Sequence, residues 1–500
     1  MLRNFFIFIL FFTARSVAAQ DSLISRTWGK LGVKINSVGS LGFVQKPAVE
    51  YPAASGKFAL NRLAFWVTAL GKGSDTLVAC EETRSIATHW CEGPYGSGGQ
   101  HVSGAEWPRI LQISARDVQD HRSHYKDAGY TPLSSITNWP GSFSKPGFPA
   151  RCAPFADVNA NQKYDPLQGD YPYLPGSDNV WAMGSDSLNK SNLKTLAMPV
   201  DISAIWFKPA GSDTLLQYTA WARITVCNRG ADTLHNCRTS LVADFQLGNS
   251  EDNYLGTHVT RQSIYSFNGP ANDAVYGPRW PVVSAGWLSG KTSSSIYYEA
   301  GGDAVKGQPV RAAHFYHFAN GCWKTGSSLG YGGSGLDITF PASYVYSNGT
   351  DPAFTGKPAW NEDSAGNIPG HRTGILSTSA VELLPGACRV SDAHVTVIPD
   401  KPDSARLSVF LKGITELYGN SDFSLGKKRV TKPQLRVYPN PVQSGHTLSA
   451  LLQEGEIYLT DMQGKVLLKL KKGENILPQL SAGIYIIRTN TSTPVLLQIL

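Results

Sequence analysis

LLQYTAWARITV, residues 215–226, is the stretch that indicates the fold class most clearly. Every second position is apolar or small, so in an extended chain one face carries Leu216, Tyr218, Ala220, Ala222, Ile224 and Val226. This alternation predicts a β-strand with one face in a core. The next similar run, RTSLVADFQL (238–247), is expected to return as its antiparallel neighbour.

The rest of the body, from Trp28 to about residue 400, consists mostly of short alternating runs broken by Gly, Pro, Asn and Asp. RLAFWVTAL (62–70) and TLVACEE (76–82) predict another hairpin. One helix is indicated at SARDVQDHRSHY (114–125), where Ser114 and Asp117 have the spacing of a capping box. We therefore predict a mainly β protein of antiparallel β-sandwich domains with one or two short helices.

The N-terminus has the three parts of a secretory signal peptide. Arg3 gives a positive start, residues 5–12 are apolar, and Val17-Ala18-Ala19 matches a small-residue cleavage site. We expect residues 1–19 to be removed after export to the periplasm. No later stretch approaches the roughly 18 apolar residues of a membrane-spanning helix, so no transmembrane segment is expected.

The positive net charge of +7 is not spread over the whole chain. Residues 20–426 contain 33 basic and 34 acidic residues, whereas residues 427–500 contain ten basic and four acidic ones. A neutral body has no electrostatic attraction to a phosphate backbone. Nucleic acid is therefore excluded as an expected partner.

Seven cysteines in an exported chain favour disulfides and leave at least one thiol unpaired within the chain. Cys227 and Cys237 flank the turn CNRGADTLHNC, and this spacing allows a bridge across a hairpin. The sequence does not show whether their Cα atoms are close enough.

The last part of the chain reads as a separate small β-sandwich at 433–500, preceded by an exposed linker at 421–432. PQLRVYPNPV (433–442) begins it, and EIYLTDMQGKVLLKL (456–470) alternates around Gln463-Gly464 as a hairpin does. NILPQLSAGIYIIRTN (475–490) and VLLQIL (495–500) supply the last strands. An immunoglobulin-like β-sandwich is therefore expected.

These C-terminal motifs, in this order, resemble the C-terminal sorting domain of the type IX (Por) secretion system of Bacteroidota. The resemblance implies that the type IX machinery recognises residues 433–500, that the chain crosses the outer membrane, and that this domain is usually removed. The protein would then be secreted or held at the outer cell surface. The alternative interpretation is an ordinary immunoglobulin-like appendage.

The body also resembles large Bacteroidota cell-surface proteins that carry the same terminal domain. The similar segments are GKFALNRLAFWVTAL, ITNWPGSF, APFADVNANQKYDPLQGDYP, VCNRGADTL and ILSTSAVELLPGA, within residues 25–420. We divide this body into an N-terminal β-rich region with one helix (20–145) and a main β-rich domain (146–420). The resemblance implies a location and a cation site, and it implies no activity.

DVNANQKYDPLQGDYP (157–172) has the oxygen spacing of a calcium loop. Its first, third and fifth residues are Asp157, Asn159 and Asn161, and the seventh, Lys163, would offer its backbone carbonyl. Asp165 takes the ninth place. The resemblance favours Asp170, in the recurring GDYP segment, as the closing carboxylate.

Gln162 occupies the sixth place of that loop, where glycine is usual because the chain turns sharply. The alternative is an Asx-rich turn whose side chains satisfy their own backbone. In both interpretations the loop is structural. A bound Ca²⁺ would be a structural cofactor with weak affinity, since only three carboxylates are available.

ADFQLGNSEDNYLGTH (243–258) is a second acidic stretch, with Asp244, Glu251 and Asp252. A second cation site is possible there, although a solvated loop is the preferred interpretation. His121 and His124 are three residues apart on the predicted helix, and we interpret them as part of an exposed polar face.

From these features we expect an exported binding or adhesion module with a glycan or matrix ligand. The competing class is a secreted hydrolase that acts on polysaccharide or protein, and a third is a structural component of a surface layer. No catalytic residues are predicted, because the carboxylate pair of a glycosidase is defined by its spacing in space and not in sequence.

Overall fold

The computed structural model describes residues 23–43, 45–81, 90–102, 106–108, 110–186, 197–421, 436–438, 440–451, 456–461, 465–489 and 495–500. The chain forms two compact units, residues 1–419 and 420–500. The expected signal peptide (1–19) and the linker from residue 422 to 432 lie outside the described residues. Among the helices that are described, none has the length and apolar character needed to cross a membrane.

The first unit is built mainly from strands. In chain order these are β1 (Leu23–Trp28), β2 (Leu31–Asn36), β3 (Val49–Glu50), β4 (Phe58–Leu70), β5 (Thr76–Ala79), β6 (Trp90–Glu92), β7 (Ile110–Ser114), β8 (Phe155–Ala156), β9 (Tyr171–Pro172), β10 (Asp178–Asp186), β11 (Val200–Lys208), β12 (Thr219–Asn228), β13 (Leu234–Phe245), β14 (Asn253–His258), β15 (Ser263–Asn268), β16 (Val282–Trp287), β17 (Thr292–Glu299), β18 (Arg372–Thr378), β19 (Val381–Leu383) and β20 (Cys388–Ile398). Within the described residues there are four α-helices, where the sequence indicated one or two: α1 (Ala115–His124), α2 (Ser134–Thr137), α3 (Ala312–Ala319) and α4 (Ser404–Asn420).

These strands form two large antiparallel sheets and one small one. The first sheet has the order β1-β2-β3-β4-β13-β18-β17, with β5 beside β4 and β19 beside β13. The second has the order β14-β15-β16-β20-β12-β11-β10-β6, with β7 beside β10. Strands β8 and β9 pair separately. The predicted fold class, mainly β with antiparallel sheets, is confirmed.

One hydrophobic core takes side chains from both large sheets. Strand β4 contributes Leu63 and Phe65, and β12 contributes Ala222 and Ile224, all at most 1 % exposed. The alternation that predicted β12 therefore identified its inward face. The strand begins at Thr219, because residues 214–218 form a 3₁₀ turn. Its other face is covered as well, since Trp221 packs edge-to-face on Tyr418 of α4.

The predicted partner of β12 is wrong. Strand β12 pairs with β11 and β20, whereas the run 238–247 lies mostly in β13 of the other sheet, between β4 and β18. The proposed Cys227–Cys237 bridge is wrong for the same reason. Cys227 forms a disulfide with Cys388, directly opposite it on β20, and Cys237 is a buried thiol.

The local predictions in this unit are confirmed. Strands β4 and β5 form the expected hairpin, with Leu70 opposite Thr76. Ser114 caps α1: its hydroxyl accepts the N–H of Asp117 at 3.1 Å, and the Asp117 carboxylate accepts the N–H of Ser114 at 2.9 Å. Both signals span only a few residues, so tertiary contacts were not needed to recognise them.

Helix α4 was not predicted. It buries Leu407, Phe410, Leu411, Ile414 and Tyr418, a spacing that makes one apolar stripe along a helix. Most of this stripe packs with Tyr265 of β15, Ile398 of β20 and the loop residue Trp280 in a second, smaller core.

The second unit consists of strands only, in its described part. They are β21 (Arg436–Tyr438), β22 (Thr447–Leu451), β23 (Ile457–Thr460), β24 (Val466–Leu470), β25 (Gly473–Ile476), β26 (Gly483–Thr489) and β27 (Val495–Ile499). Two sheets, β21-β22-β25 and β24-β23-β26-β27, enclose a core of their own that includes Leu448, Leu459 and Leu497. The predicted hairpin is the β23–β24 pair.

Candidate functional site

The predicted calcium loop is closed at its base by the two-stranded sheet β8–β9. Ala156 lies opposite Tyr171, so residues 157–170 leave and return to the same place. Asp157 and Asp165 are half-buried, Asn159, Asn161 and Lys163 are exposed, and Asp170 is fully buried. The six predicted ligand residues therefore lie in one loop but in different environments.

The first half of the loop is organised by side-chain oxygens that accept backbone N–H groups. Asp157 accepts the N–H of Asn161 at 3.1 Å and that of Gln162 at 2.7 Å. Asn159 accepts the N–H of Asn161, and Asn161 accepts the N–H of Lys163 at 2.7 Å. Gln162 has φ = 65°, the left-handed conformation expected at the sixth position of a cation loop.

Asp170 joins the two halves of the loop. One carboxylate oxygen accepts the N–H of Val158 at 2.8 Å and the other accepts the N–H of Asp165 at 2.9 Å. Asp165 in turn caps the 3₁₀ turn 166–168 through the N–H of Leu167 at 3.1 Å. Because Asp170 is buried, these two bonds are shielded from competing water.

The carboxylates are not gathered around one point. Across the described ranges, no three His, Cys, Asp or Glu side chains are grouped as they would be around a metal ion. The oxygen spacing and the left-handed residue fit a calcium loop, whereas the carboxylate arrangement does not complete one. The hydrogen bonds of the loop are those of an Asx-rich turn.

Helix α1 fixes the end of this loop through His121, which is fully buried. The ring atom Nε2 lies 3.1 Å from the carbonyl oxygen of Asp170, so Nε2 must carry the proton, and Nδ1 then accepts from the hydroxyl of Tyr130 at 3.3 Å. Burial lowers the pKa of His121 below 6.5, which favours this neutral ring. The interpretation of His121 as part of an exposed face is wrong, while His124 is exposed.

The loop also supports the wall of a neighbouring pocket. The hydroxyl of Tyr164 donates to the carbonyl of Ile136 at 2.7 Å, and the N–H of Tyr164 donates to the hydroxyl of Ser142 at 2.6 Å. Just before the loop, the Pro154 carbonyl accepts the indole N–H of Trp139 at 2.9 Å. The segment 136–142 is thus held in place by the loop and its base.

That segment lines a pocket of about 370 Å³ with Glu106, Trp107, Pro108, Thr137, Asn138, Trp139, Pro140, Ser142 and Phe143. Trp107 and Trp139 are nearly buried, at 3 % and 2 % exposed, and both rings pack on Trp181. The pocket therefore has an aromatic floor and hydrogen-bonding side chains at its rim. No pattern in the sequence indicates that these tryptophans come together.

A second pocket of about 370 Å³ lies where α4 begins. It is mainly apolar, and its lining includes Tyr265, Phe267, Trp280, Lys401 and Leu407. Burial raises the pKa of Tyr265 to about 12, so its hydroxyl stays neutral.

One histidine–serine pair bears on the hydrolase alternative. The ring atom Nε2 of His258 lies 3.0 Å from the hydroxyl of Ser408, as in a nucleophile–base pair. The group facing Nδ1 is the hydroxyl of Thr260 at 3.4 Å, where a carboxylate would be needed to hold the ring. Burial, with a smaller contribution from Arg261, lowers the pKa of His258 to about 4, which makes it a weak general base at neutral pH.

Comparison with known proteins gives one informative match. Residues 436–498, within the second unit, match the family described as "Secretion system C-terminal sorting domain". This match supports the predicted sorting by the type IX system, and with it secretion or a cell-surface location.

No curated protein matches the chain. Among solved structures, a polysaccharide lyase aligns at 10 % identity with a TM-score of 0.20, over 60 % of this chain and 34 % of the lyase. The chain therefore spans about a third of that protein, and the likeness is too weak to carry an argument about fold or activity.

Proposed function

We propose that this protein is delivered by the type IX route and acts at the cell surface or in the medium as a binding module, with a structural calcium loop beside its ligand pocket. The observation that carries the proposal is the sorting-domain match at residues 436–498. A domain of this kind directs export of the chain, so the function of the exported protein is expected to lie in the rest of the chain. Binding therefore has to be assigned to the first unit.

The pocket beside the loop is the proposed binding site. Thr137, Asn138 and Ser142 can exchange hydrogen bonds with sugar hydroxyls, and the half-buried Phe143 offers apolar surface to the ring carbons. This mixture suits a short glycan segment. A matrix protein would need a larger surface than this pocket provides.

The proposed calcium ion would stiffen residues 157–170 without taking part in chemistry. Asp157, Asn159, Asn161 and Asp165 would supply side-chain oxygens, Lys163 its backbone carbonyl, and Asp170 the closing carboxylate. With three carboxylates we expect a Kd of about 10⁻⁴–10⁻³ M, the range of weak extracellular sites. Removing the ion would loosen the wall formed by residues 136–142 and so weaken glycan binding.

Glycan-array screening of the purified chain, with and without millimolar calcium, tests the binding function. We expect retention of a glycan that weakens at least tenfold in Asn138→Ala. The control Gln119→Ala removes an exposed amide on α1 and should bind as the wild type does. If no glycan is retained, or if Asn138→Ala binds as tightly as the control, the pocket is not the site.

The same samples separate binding from hydrolysis. A binding module should leave the retained glycan intact after prolonged incubation, with no new reducing ends. Release of products would contradict the binding proposal and favour the secreted hydrolase, in which case His258→Gln and Ser408→Ala are the first variants to assay.

A deletion of residues 436–498 tests the export route separately. The truncated chain should accumulate in the periplasm of a host with a type IX system, while the full chain reaches the medium or the cell surface. Export of the truncated chain at the wild-type level would contradict the assignment.

A further inference from the structure

We propose a second hard-cation site, of the calcium type, where β14 begins and β15 ends, with Asp252, Asn253 and Asn268 as its side-chain ligands and Asp273 beside them. This site is separate from the loop at 157–170 and does not depend on the proposed function. It shares Asp252 with the second acidic stretch and adds Asn253 from the same stretch, while Asn268 and Asp273 follow it in the chain.

The backbone brings these four residues together. Asn253 and Asn268 lie directly opposite each other on β14 and β15, so their side chains leave the same face of the sheet. The carbonyl of Asp252 accepts the N–H of Gly269 at 2.8 Å, next to Asn268. This hydrogen bond joins the turn before β14 to the turn after β15.

Asn249 connects the two acidic residues of the cluster. Its backbone N–H donates to Asp273 at 3.2 Å, and its side-chain amide donates to Asp252 at 2.9 Å. Asp273 is 3 % exposed and also accepts the N–H groups of Val275 and Tyr276. Asn249 therefore links a buried carboxylate, that of Asp273, to the partly buried carboxylate of Asp252.

Three acceptor oxygens in this cluster are buried without a donor. They are Oδ1 of Asp252, Asn253 and Asn268, and no group among the described residues donates to them. The two asparagines are each only 2 % exposed. Leaving such an oxygen unsatisfied costs about 1–3 kcal/mol, so three together require an occupant.

The amide orientations that expose these oxygens are fixed by the other end of each amide. Nδ2 of Asn253 donates to the carbonyl of Leu247 at 3.1 Å, and Nδ2 of Asn268 donates to the carbonyl of Pro270 at 2.8 Å. Turning either amide over would place oxygen against oxygen. In this orientation both Oδ1 atoms need a hydrogen-bond donor or a cation as their partner.

A divalent cation satisfies this arrangement better than one water molecule. A water has two protons and cannot serve three acceptors, and it does not offset two neighbouring carboxylates. Amide and carboxylate oxygens are the ligands that calcium prefers.

Asn268→Asp tests the site by adding a carboxylate, at the expense of the Nδ2 donor to the Pro270 carbonyl. If a cation binds, the added carboxylate should tighten calcium binding about tenfold, measured by equilibrium dialysis of the purified full chain after removal of metals with EDTA. The matched control is Asn272→Asp, an exposed position in the same turn, which should bind as the wild type does. Magnesium and sodium serve as competing ions.

The double variant Asn253→Leu/Asn268→Leu removes two of the three unsatisfied oxygens and should bind one calcium ion fewer than the wild type. If Asn268→Asp binds calcium no more tightly than Asn272→Asp, or is unfolded with and without calcium, the proposal is wrong. An unchanged number of bound ions in the double leucine variant would also contradict it, and would indicate that the pocket holds water.

Discussion

Asp170→Ala should open the loop at 157–170 while the rest of the body stays folded. The substitution removes the acceptors of two backbone N–H groups, those of Val158 and Asp165, at 2.8 and 2.9 Å. A hydrogen bond to a charged group contributes about 1.5–3 kcal/mol. We take the lower value for each bond because water can reach this surface loop once it opens, which gives a loss of about 3 kcal/mol in the free energy of loop opening.

Hydrogen–deuterium exchange read by mass spectrometry measures that free energy locally. A loss of about 3 kcal/mol should accelerate exchange of peptides from residues 157–170 by about 100-fold. Asp170→Asn keeps one acceptor oxygen and should give an intermediate rate. The control Asp127→Ala, at an exposed position after α1, should change the free energy by less than about 0.5 kcal/mol.

The role of Asp170 as the residue that closes the loop is refuted if exchange in Asp170→Ala rises less than tenfold, or if it rises equally across the whole first unit. The second outcome would mean that the loop is part of the main cooperative core. Millimolar calcium should slow exchange further in the wild type and leave the alanine variant unchanged, since the closing carboxylate is then missing.

Three further perturbations have defined outcomes. Removing the disulfide with Cys227→Ser/Cys388→Ser frees a closed segment of 161 residues, and the chain-entropy relation gives a loss of about 5 kcal/mol in the free energy of unfolding. Urea unfolding measures this loss. A reducing agent should lower the stability of the wild type and leave that of the double variant unchanged. Ser114→Ala should cost about 1 kcal/mol through loss of the α1 cap, whereas Ser134→Ala, which has no cap bond, should cost less. Burial lowers the pKa of His394 to about 3, so between pH 6.5 and 3 this histidine binds a proton in the unfolded chain but not in the folded one. The free energy of unfolding of the wild type should therefore fall by up to about 4–5 kcal/mol over that range relative to His394→Gln. Equal pH profiles of stability for the two proteins would contradict this.

Local features of this fold could be predicted from the sequence because their signals are complete within a few residues. The capping box of α1 and the β4–β5 hairpin are of this kind. Strand pairing is different, since alternation identifies the buried face of β12 but carries no information about its neighbours. β12 pairs with β20 some 170 residues later in the chain, and this choice depends on how both sheets assemble.

The same limit applies to the candidate sites. The oxygen spacing in 157–170 and the left-handed turn at Gln162 were accessible from the sequence, and the burial of Asp170 beneath α1 was not. His121 was misjudged because polarity alone was considered; its position three residues after Val118, which is also buried, was the available sign of an inward face. In the second acidic stretch, Asp244 proves to be buried, with His371 and Thr373 bound to its carboxylate, and the sequence carries no sign of these distant partners.

The two proposed cation sites call for local assays because weak sites contribute little to global stability. At 1 mM calcium, a site with a Kd of 10⁻⁴–10⁻³ M stabilises the folded state by about 0.4–1.4 kcal/mol. For a unit of about 400 residues this shifts the melting temperature by only about 0.5–2 °C, which is easily missed. The same energy changes the opening rate of a single loop up to tenfold, so exchange or proteolysis confined to residues 157–170 and 249–273 will detect calcium where a melting curve does not.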